Sequence, residues 1–255
     1  MRRLFRSMLV VCLMVCEALA QDPFKVAPNA YKLEFENEWV RVTRVHYGPR
    51  ETIAEHYHTA RSSAYVYLND SGPVVFKHRN LPYGDITRPE TKAGSFRVYR
   101  GLKEVHEVEN KADTPSDFLR VEFKTEAVND KSLRGKFYRE QYPVGENFQK
   151  VQFENEQIRI SRLVIAPHRS LDFSPAAEPA LLIALTPAQL TAKGPKDKTD
   201  HLKLEIGKTR WLSANQSEAL ESTGDAPVEM LRFEFKTKPF DDPEYRAAPH
   251  DHKHN

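Results

Sequence analysis

Residues 35–44, FENEWVRVTR, decide how the chain is organised, because residues 153–162 repeat them as FENEQIRISR. A second block, FLRVEFKT at 118–125, returns as MLRFEFKT at 230–237. The offset is 118 residues for the first pair and 112 for the second, and the blocks keep their order. A repeat this long indicates two copies of a domain, since the units of solenoid proteins are only about 20–50 residues long.

The repeat places a first domain at about residues 24–126 and a second at about 143–237. The charged stretch 127–142 between them is predicted to be a linker. The tail 238–255 is rich in proline, aspartate and histidine and is predicted to be disordered.

Residues 1–20 have the pattern of a secretory signal. Arginines precede an unbroken apolar run at 8–16, and Ala18-Leu19-Ala20 supplies the small residues of a cleavage site. The run is too short to cross a membrane, which takes roughly 20 apolar residues. We therefore expect a cleaved signal peptide and an exported protein, periplasmic or extracellular.

Charge and cysteine content exclude several kinds of function. The chain has 38 lysines and arginines against 36 aspartates and glutamates, and without residues 1–20 both counts are 35. A chain with no basic surplus is not expected to bind nucleic acid or an anionic membrane. Both cysteines, Cys12 and Cys16, lie in the signal-like segment. The rest of the chain therefore cannot form disulfides, thiolate nucleophiles, iron–sulfur clusters or cysteine-ligated zinc sites.

Both copies are predicted to consist of strands. Residues 39–45, WVRVTRV, mix β-branched and charged residues in alternation, and residues 63–68 end at an Asn-Asp-Ser-Gly turn cluster. No window of more than 12 residues after the signal-like segment shows convincing helical periodicity. Many short strands at close spacing predict an all-β protein with two small antiparallel barrels in tandem.

Three histidines of the first copy are candidate metal ligands. His56 and His58 are two residues apart, so their side chains share one face of a strand. His106 is the natural third ligand, arriving from another strand. Three neutral imidazoles suit Zn, Fe, Cu, Ni or Mn and leave positions open for water and substrate. The alternative is that all three histidines are structural or surface residues.

These motifs resemble those of the cupin superfamily. Gly48 followed by the His56-Tyr57-His58 triplet is similar to the first cupin motif, and Gly94, His106 and Asn110 are similar to the second. The resemblance covers almost the whole of each copy. It implies two tandem double-stranded β-helices, or jelly rolls, and hence a bicupin.

The resemblance also implies a glutamate ligand that this chain lacks. It would fall at Ser62 or Ser63, and neither side chain replaces a carboxylate well. A site of three histidines remains open, because three imidazoles alone can hold a divalent ion. In the second copy the offsets place Ser174, Ala176 and Glu218 where the first copy has its histidines. The second copy is therefore predicted to lack the metal site and to pack against the first or shape its entrance.

Other residues offer weaker signals. Glu104 would share a face with His106 and could act as a general base or substitute ligand, although strand-edge carboxylates are usually solvated. His46 could face the pocket from a neighbouring strand. Trp211 is the offset counterpart of Tyr99 in the second copy. Three tyrosines would line the pocket mouth or belong to the aromatic core: Tyr65, Tyr67 and Tyr99.

The sequence leaves three functions open. The first is an exported metalloprotein that holds Fe, Mn, Zn or Ni and binds or transforms a small organic molecule. If the protein is an enzyme, the cupin resemblance suggests an oxygenase, isomerase or lyase acting on an organic acid or sugar. The second is a non-catalytic ligand-binding or structural bicupin of the cell envelope. The third is metal handling by the tail histidines His250, His252 and His254. A small molecule is the expected partner, and assembly into a homo-oligomer is a further alternative.

Overall fold

The protein is almost entirely β-strand. The computed structural model describes residues 22–173, 176–194 and 198–241. The signal-like segment and the tail histidines lie outside these described residues. A short helix, α1 (Pro23–Val26), precedes the first strand, and the Asp22 side chain caps it by accepting a hydrogen bond from the Phe24 amide. No helix in the described ranges is long and apolar enough to cross a membrane.

The strands divide between the two copies of the sequence. The strands of the first copy and the segment after it, together called barrel one, are β1 (Tyr31–Glu36), β2 (Val40–Tyr47), β3 (Thr52–His58), β4 (Ser63–Tyr67), β5 (Val74–His78), β6 (Asp85–Arg88), β7 (Phe96–Tyr99), β8 (Glu104–Asn110), β9 (Ser116–Phe123) and β10 (Arg134–Phe137). The strands of the second copy, called barrel two, are β11 (Phe148–Glu154), β12 (Ile158–Ile165), β13 (Ser170–Phe173), β14 (Ala180–Ala184), β15 (Ala188–Lys193), β16 (Thr199–Leu204), β17 (Thr209–Leu212), β18 (Glu218–Ser222) and β19 (Val228–Phe235).

Each barrel consists of a large and a small antiparallel sheet facing one another. In barrel one the strand orders are β1-β2-β9-β4-β7-β10 and β3-β8-β5-β6. In barrel two they are β11-β12-β19-β14-β17 and β13-β18-β15-β16. The two sets of orders correspond strand by strand, except that β10 has no counterpart among the described strands. The repeat in the sequence is therefore a repeat of the fold, and the predicted pair of all-β jelly rolls is confirmed.

The central strands of the two large sheets are buried on both faces. In β2, Val45 and Tyr47 point into barrel one, whereas Val40 and Val42 lie in an apolar cluster shared with barrel two. Ile160 of β12 enters the same cluster from the other side. Burying a side chain of this kind contributes roughly 1.5–3 kcal/mol, so the shared cluster holds the barrels together strongly.

Equivalent arginines contact the opposite barrel at two places on this interface. Arg44 of barrel one donates to the carbonyl oxygen of Ile206 at 3.2 Å, and Arg162, 118 residues later, donates to that of Gly94 at 2.6 Å. The matching contacts give the interface an approximate two-fold symmetry, like that of a dimer of identical subunits.

The environments of these two arginines nevertheless differ. Arg162 is fully buried and pairs with the fully buried carboxylate of Glu229, which the half-exposed Arg139 also contacts. Arg162 further donates to the Gln152 side chain at 2.9 Å. Arg44 keeps 29 % of its side chain exposed, so its contacts compete with water.

The predicted linker carries regular structure. Its residues 134–137 form β10, which pairs with β7 and extends the large sheet of barrel one. Phe137 stacks on Phe96 with ring centroids 4.8 Å apart, and it meets Phe153 of barrel two at 5.8 Å. The segment 127–142 therefore contributes packing between the barrels as well as a connection. The exact domain boundaries stay predictions.

Candidate metal centre

Strands β3 and β8 bring the three predicted histidines together inside barrel one. His56 lies directly opposite His106 in the β3–β8 pairing, and His58 lies opposite Glu104. The ring centroids of the three histidines are 4.8–5.1 Å apart. Imidazoles bound to one ion through bonds of about 2.0–2.1 Å have centroids roughly 4.5–5.2 Å apart, so this spacing suits a shared ion. One nitrogen from each ring lies within 4.8 Å of the others.

The hydrogen bonds of His56 determine its tautomer. Its Nδ1 lies 2.8 Å from the carbonyl oxygen of Ala54, which can only accept, so Nδ1 carries the proton. Its Nε2 therefore presents a lone pair, 2.9 Å from the Tyr31 hydroxyl and 3.1 Å from Nε2 of His58. A backbone carbonyl that orients a ring in this way is a common outer partner of metal-binding histidines.

His58 is held by an arginine. The Nη1 group of Arg120 donates to Nδ1 of His58, and a guanidinium has no lone pair to offer in return. The proton of the neutral His58 ring therefore sits on Nε2, pointing towards His56. Arg120 also lies 3.3 Å from the Glu122 carboxylate.

Two further side chains extend the cluster, and together with His106 they form a second candidate ligand set. His78 of β5 lies opposite His106 on the other side of β8, and its Nδ1 lies 3.0 Å from the Gly84 carbonyl oxygen. Glu104 accepts a hydrogen bond from the Tyr99 hydroxyl at 2.5 Å, and its other oxygen lies 3.6 Å from Nδ1 of His106. The possible ligand atoms of His78, Glu104 and His106 lie within 4.8 Å of one another.

Sequence reasoning considered Glu104 but missed His78. A usable signal was present, because Val74, Phe76 and His78 alternate along β5 and are all buried. A histidine that continues an inward-facing apolar series points into the barrel.

Burial keeps the predicted histidines neutral. It lowers the pKa of His56, and it lowers the pKa values of His58 and His106 well below the ordinary range. The Arg120 guanidinium next lowers the pKa of His58, and the neighbouring imidazoles next lower that of His106. Neutral imidazole is the form that binds a metal ion.

The donor set fits a divalent transition metal. Nε2 of His78 and both ring nitrogens of His106 are buried and have no hydrogen-bond partner among the described residues. Buried polar atoms are almost always paired, so such nitrogens indicate a site built for a further partner. Several imidazoles and one carboxylate are the ligands that Zn, Fe, Mn and Ni accept.

The space beside the rings is small and lined by positive charge. A cavity of about 10 Å³ lies against His58 and His106 and is lined also by Arg88 and Arg120. Arg88 lies over the ring of Phe76, with its guanidinium carbon 4.1 Å from the ring centroid. The cavity has room for about one water molecule or ion.

The weaker predictions have mixed outcomes. Tyr65 and Tyr67 belong to the apolar core of barrel one, and Tyr65 also lines the small cavity. Tyr99 packs against that core and donates a hydrogen bond to Glu104. His46 does not face the pocket, because its side chain is half exposed and contacts Asp117 on the outside of the sheet.

Barrel two has no histidine at the corresponding positions. Strand pairing places Glu218 opposite Phe173, as His106 lies opposite His56 in barrel one. Glu218 is bound by Arg210 at 2.9 Å, so an ion pair and an aromatic ring replace the imidazoles. Ser174, the residue expected from the offset, lies outside the described residues. Strand pairing places Phe173 at this position instead, because β3 contains a bulge that β13 lacks.

The predicted equivalence of Trp211 and Tyr99 is also wrong. Leu181 corresponds to Ala64 through their pairing with β19 and β9, and these residues lie opposite Trp211 and Val98 respectively. Trp211 therefore corresponds to Val98 and packs into the shared apolar cluster between the barrels.

No protein-family model matches the sequence, and no curated protein matches it. Solved structures do match. Salicylate 1,2-dioxygenase from Pseudoaminobacter salicylatoxidans, as adducts with gentisate, aligns with a TM-score of 0.54 at 11 % identity over 78 % of this chain and 68 % of that one. Vicilin from Capsicum annuum aligns at 0.56 and 10 % identity, over 79 % and 77 % of the two chains. A cupin 2 conserved barrel domain protein from Leptotrichia buccalis aligns at 0.50 and 15 % identity, over 81 % and 88 %.

The fold is that of the cupins. Two such barrels in a single chain give the protein a bicupin architecture, as its motifs predicted.

Proposed function

We propose that this protein is an exported bicupin whose first barrel binds a divalent transition metal and there binds or transforms a small organic anion. One observation carries the proposal: neutral histidine rings, some with unpaired nitrogens, converge inside barrel one. Two ligand sets that share His106 are available for the ion. One is the predicted trio with His56 and His58, and the other contains His78 and Glu104. Iron, manganese, zinc and nickel all suit these donors.

Charge around the site supports an anionic ligand. Arg88 and Arg120 both line the small cavity beside the rings. Cations in a low-dielectric interior attract a carboxylate strongly. The dioxygenase of similar fold carries gentisate, a small organic acid, in its adducts. A bound ion would supply Lewis acidity to such a ligand. As an enzyme, the protein would be an oxygenase, isomerase or lyase.

Export rests on the composition of residues 1–20, which lie outside the described residues. Basic residues, an apolar run and a small-residue cleavage pattern together direct secretion. Cell fractionation of the full-length protein tests this part: the cleaved product is expected outside the cytoplasm, and an uncleaved cytoplasmic product would contradict it.

A non-catalytic role has one observation in its favour. The cavity of about 10 Å³ is only large enough for about one water molecule, so an organic molecule would require movement of the barrel. A metal held by the imidazoles beside this cavity would stabilise barrel one, and the bicupin would serve as a binding or structural protein of the envelope.

Metal content of the purified protein tests the proposal. To exclude adventitious binding by the tail, we would use the full chain with His250, His252 and His254 replaced by alanine. About one equivalent of metal by mass spectrometry is expected, and His106→Ala is expected to lose it, because His106 belongs to both ligand sets. Absence of metal, with no thermal stabilisation by added Zn, Fe, Mn or Ni, would contradict the proposal.

Calorimetric titration with small organic acids then separates the two roles. Binding that requires the metal supports a ligand site at the ion. Metal-dependent stability without acid binding supports the structural role.

A further inference from the structure

We propose that the ion in barrel one is held by His78, Glu104 and His106, a set of two histidines and one carboxylate. The His56-His58 pair then lies beside the ion as a hydrogen-bonded support. The inference rests on the proposed function in one respect only, namely that barrel one binds a divalent ion.

The first argument is that the His56-His58 pair already has its hydrogen bonds. Nδ1 of His56 bonds the Ala54 carbonyl, and its Nε2 lies within hydrogen-bond distance of Tyr31 and His58. Nδ1 of His58 accepts from Arg120, which leaves the Nε2 proton of His58 directed at His56. For His58 to bind an ion through Nε2, that proton must leave and the contact with Arg120 must break.

The second argument is that the unpaired nitrogens belong to the other set. Nε2 of His78 and both nitrogens of His106 are buried without hydrogen-bond partners in the described part of the chain. Since Nδ1 of His78 lies 3.0 Å from the Gly84 carbonyl oxygen and must carry the proton, Nε2 presents its lone pair to the cluster. These two rings can receive an ion without losing a bond.

The third argument concerns Glu104. This carboxylate is buried, and no lysine or arginine among the described residues forms an ion pair with it. Arg88 and Arg120 attract this carboxylate only over a longer distance, whereas a divalent ion would place a positive charge in direct contact with it. One oxygen is oriented by the Tyr99 hydroxyl, and the other lies 3.6 Å from His106.

The position of Tyr99 also explains how the missing glutamate is replaced. Tyr99 lies opposite Ser63 in the β4–β7 pairing, and the glutamate implied by the cupin resemblance would fall at Ser62 or Ser63. Ser63 is small and buried, and the neighbouring Tyr99 holds Glu104 instead. The carboxylate of the site therefore comes from β8, two residues before His106, and not from β4.

Charge balance favours the same set. The predicted trio would place a dication beside rings that already contact the Arg120 guanidinium, and like charges at close range repel. The set with Glu104 brings one negative charge to the ion. Two histidines and one carboxylate form a ligand type that leaves open positions on iron and similar ions.

The test compares Co²⁺ binding by full-length variants in the background without tail histidines. We expect His78→Gln and Glu104→Gln to weaken Co²⁺ affinity by at least about 100-fold, as loss of a ligand should exceed the 10–100-fold effect of an outer partner. His58→Gln should weaken it by no more than about 10-fold, the low end of that range, because the hydrogen bonds of His58 go to His56 and Arg120 and not to the three proposed ligands. His46→Gln, on the outside of the sheet, is the control for adventitious binding.

X-ray absorption of the wild-type Co²⁺ protein gives an independent count of ligands and does not depend on whether variants fold. Two imidazoles with oxygen donors are expected. Three imidazoles, or a loss at His58→Gln as large as that at Glu104→Gln, would overturn the inference and leave the proposed function standing. A wild-type protein that binds no Co²⁺ and carries no native metal would refute both, which distinguishes the two failures.

Discussion

Replacing Arg162 with alanine should destabilise the protein by about 3 kcal/mol. Removing one partner of a buried ion pair typically costs about 3–5 kcal/mol, because the other charge remains buried. Arg162 and Glu229 are both fully buried, and Arg162 also donates to the Gly94 carbonyl and to Gln152. Arg139 still contacts the Glu229 carboxylate in the variant, which places the expected loss at the low end of the range.

The duplication supplies a matched control. Arg44 occupies the equivalent position in barrel one and makes the equivalent contact to the Ile206 carbonyl, but it is partly exposed. Arg44→Ala should therefore cost only about 1 kcal/mol or less. Urea unfolding of the full-length variants, followed by circular dichroism, measures both losses.

A double variant separates the ion pair from packing. Arg162→Met combined with Glu229→Leu removes both charges and should recover most of the stability lost in Arg162→Ala. Equal losses for Arg162→Ala and Arg44→Ala, or no recovery in the double variant, would refute the assignment of Arg162 and Glu229 as a buried ion pair within barrel two.

Three further perturbations test the interior and one turn. Lowering the pH from 6.5 to 5.5 should destabilise the metal-free protein by up to about 2 kcal/mol, or about 1 kcal/mol per ring, because His58 and His106 have pKa values well below normal and stay neutral while the unfolded chain takes up protons. An unchanged urea midpoint would contradict this. Tyr31→Phe removes a buried hydroxyl with two hydrogen-bond partners and should cost about 1–2 kcal/mol in the same assay, whereas a neutral result would argue against those bonds. Gly207→Ala, with φ +81° and its new Cβ only 2.5 Å from a guanidinium nitrogen, should lose more stability than Gly145→Ala, with φ +79° and open space around it; the reverse order would disagree.

The fold could be predicted because the repeated blocks lie on paired central strands. Residues 35–44 end in β2, residues 118–125 begin in β9, and these two strands pair along their whole length. The same holds for β12 and β19 in barrel two. Strand alternation and the spacing of His56, His58 and His106 were then sufficient to predict that these rings meet.

The details that sequence could not provide arise from local geometry. The extra residue in β3 between Ile53 and His56 shifts the register, so counting along the chain selects Ser174 where strand pairing selects Phe173. The place of Glu104 in the cluster depends on a hydrogen bond from Tyr99 across the barrel, which no spacing rule encodes.

The sequence likewise did not indicate that the two barrels pack face to face. Val40 and Val42 alternate with polar residues as in any half-buried strand, but both faces of β2 are covered. From the sequence, packing against the first copy was one of two predicted roles for barrel two. The shared apolar cluster shows how extensive that packing is.

Joining the two barrels in one polypeptide frees each half to change independently. In a pair of separate identical chains, any substitution at His56 or His106 would alter both halves at once. Here Phe173 and Glu218 occupy those positions in barrel two, while the large sheet of barrel two still packs against barrel one. Because the two barrels are linked in one chain, barrel two always stays at high local concentration beside barrel one. Their packing therefore does not depend on how much protein the cell makes.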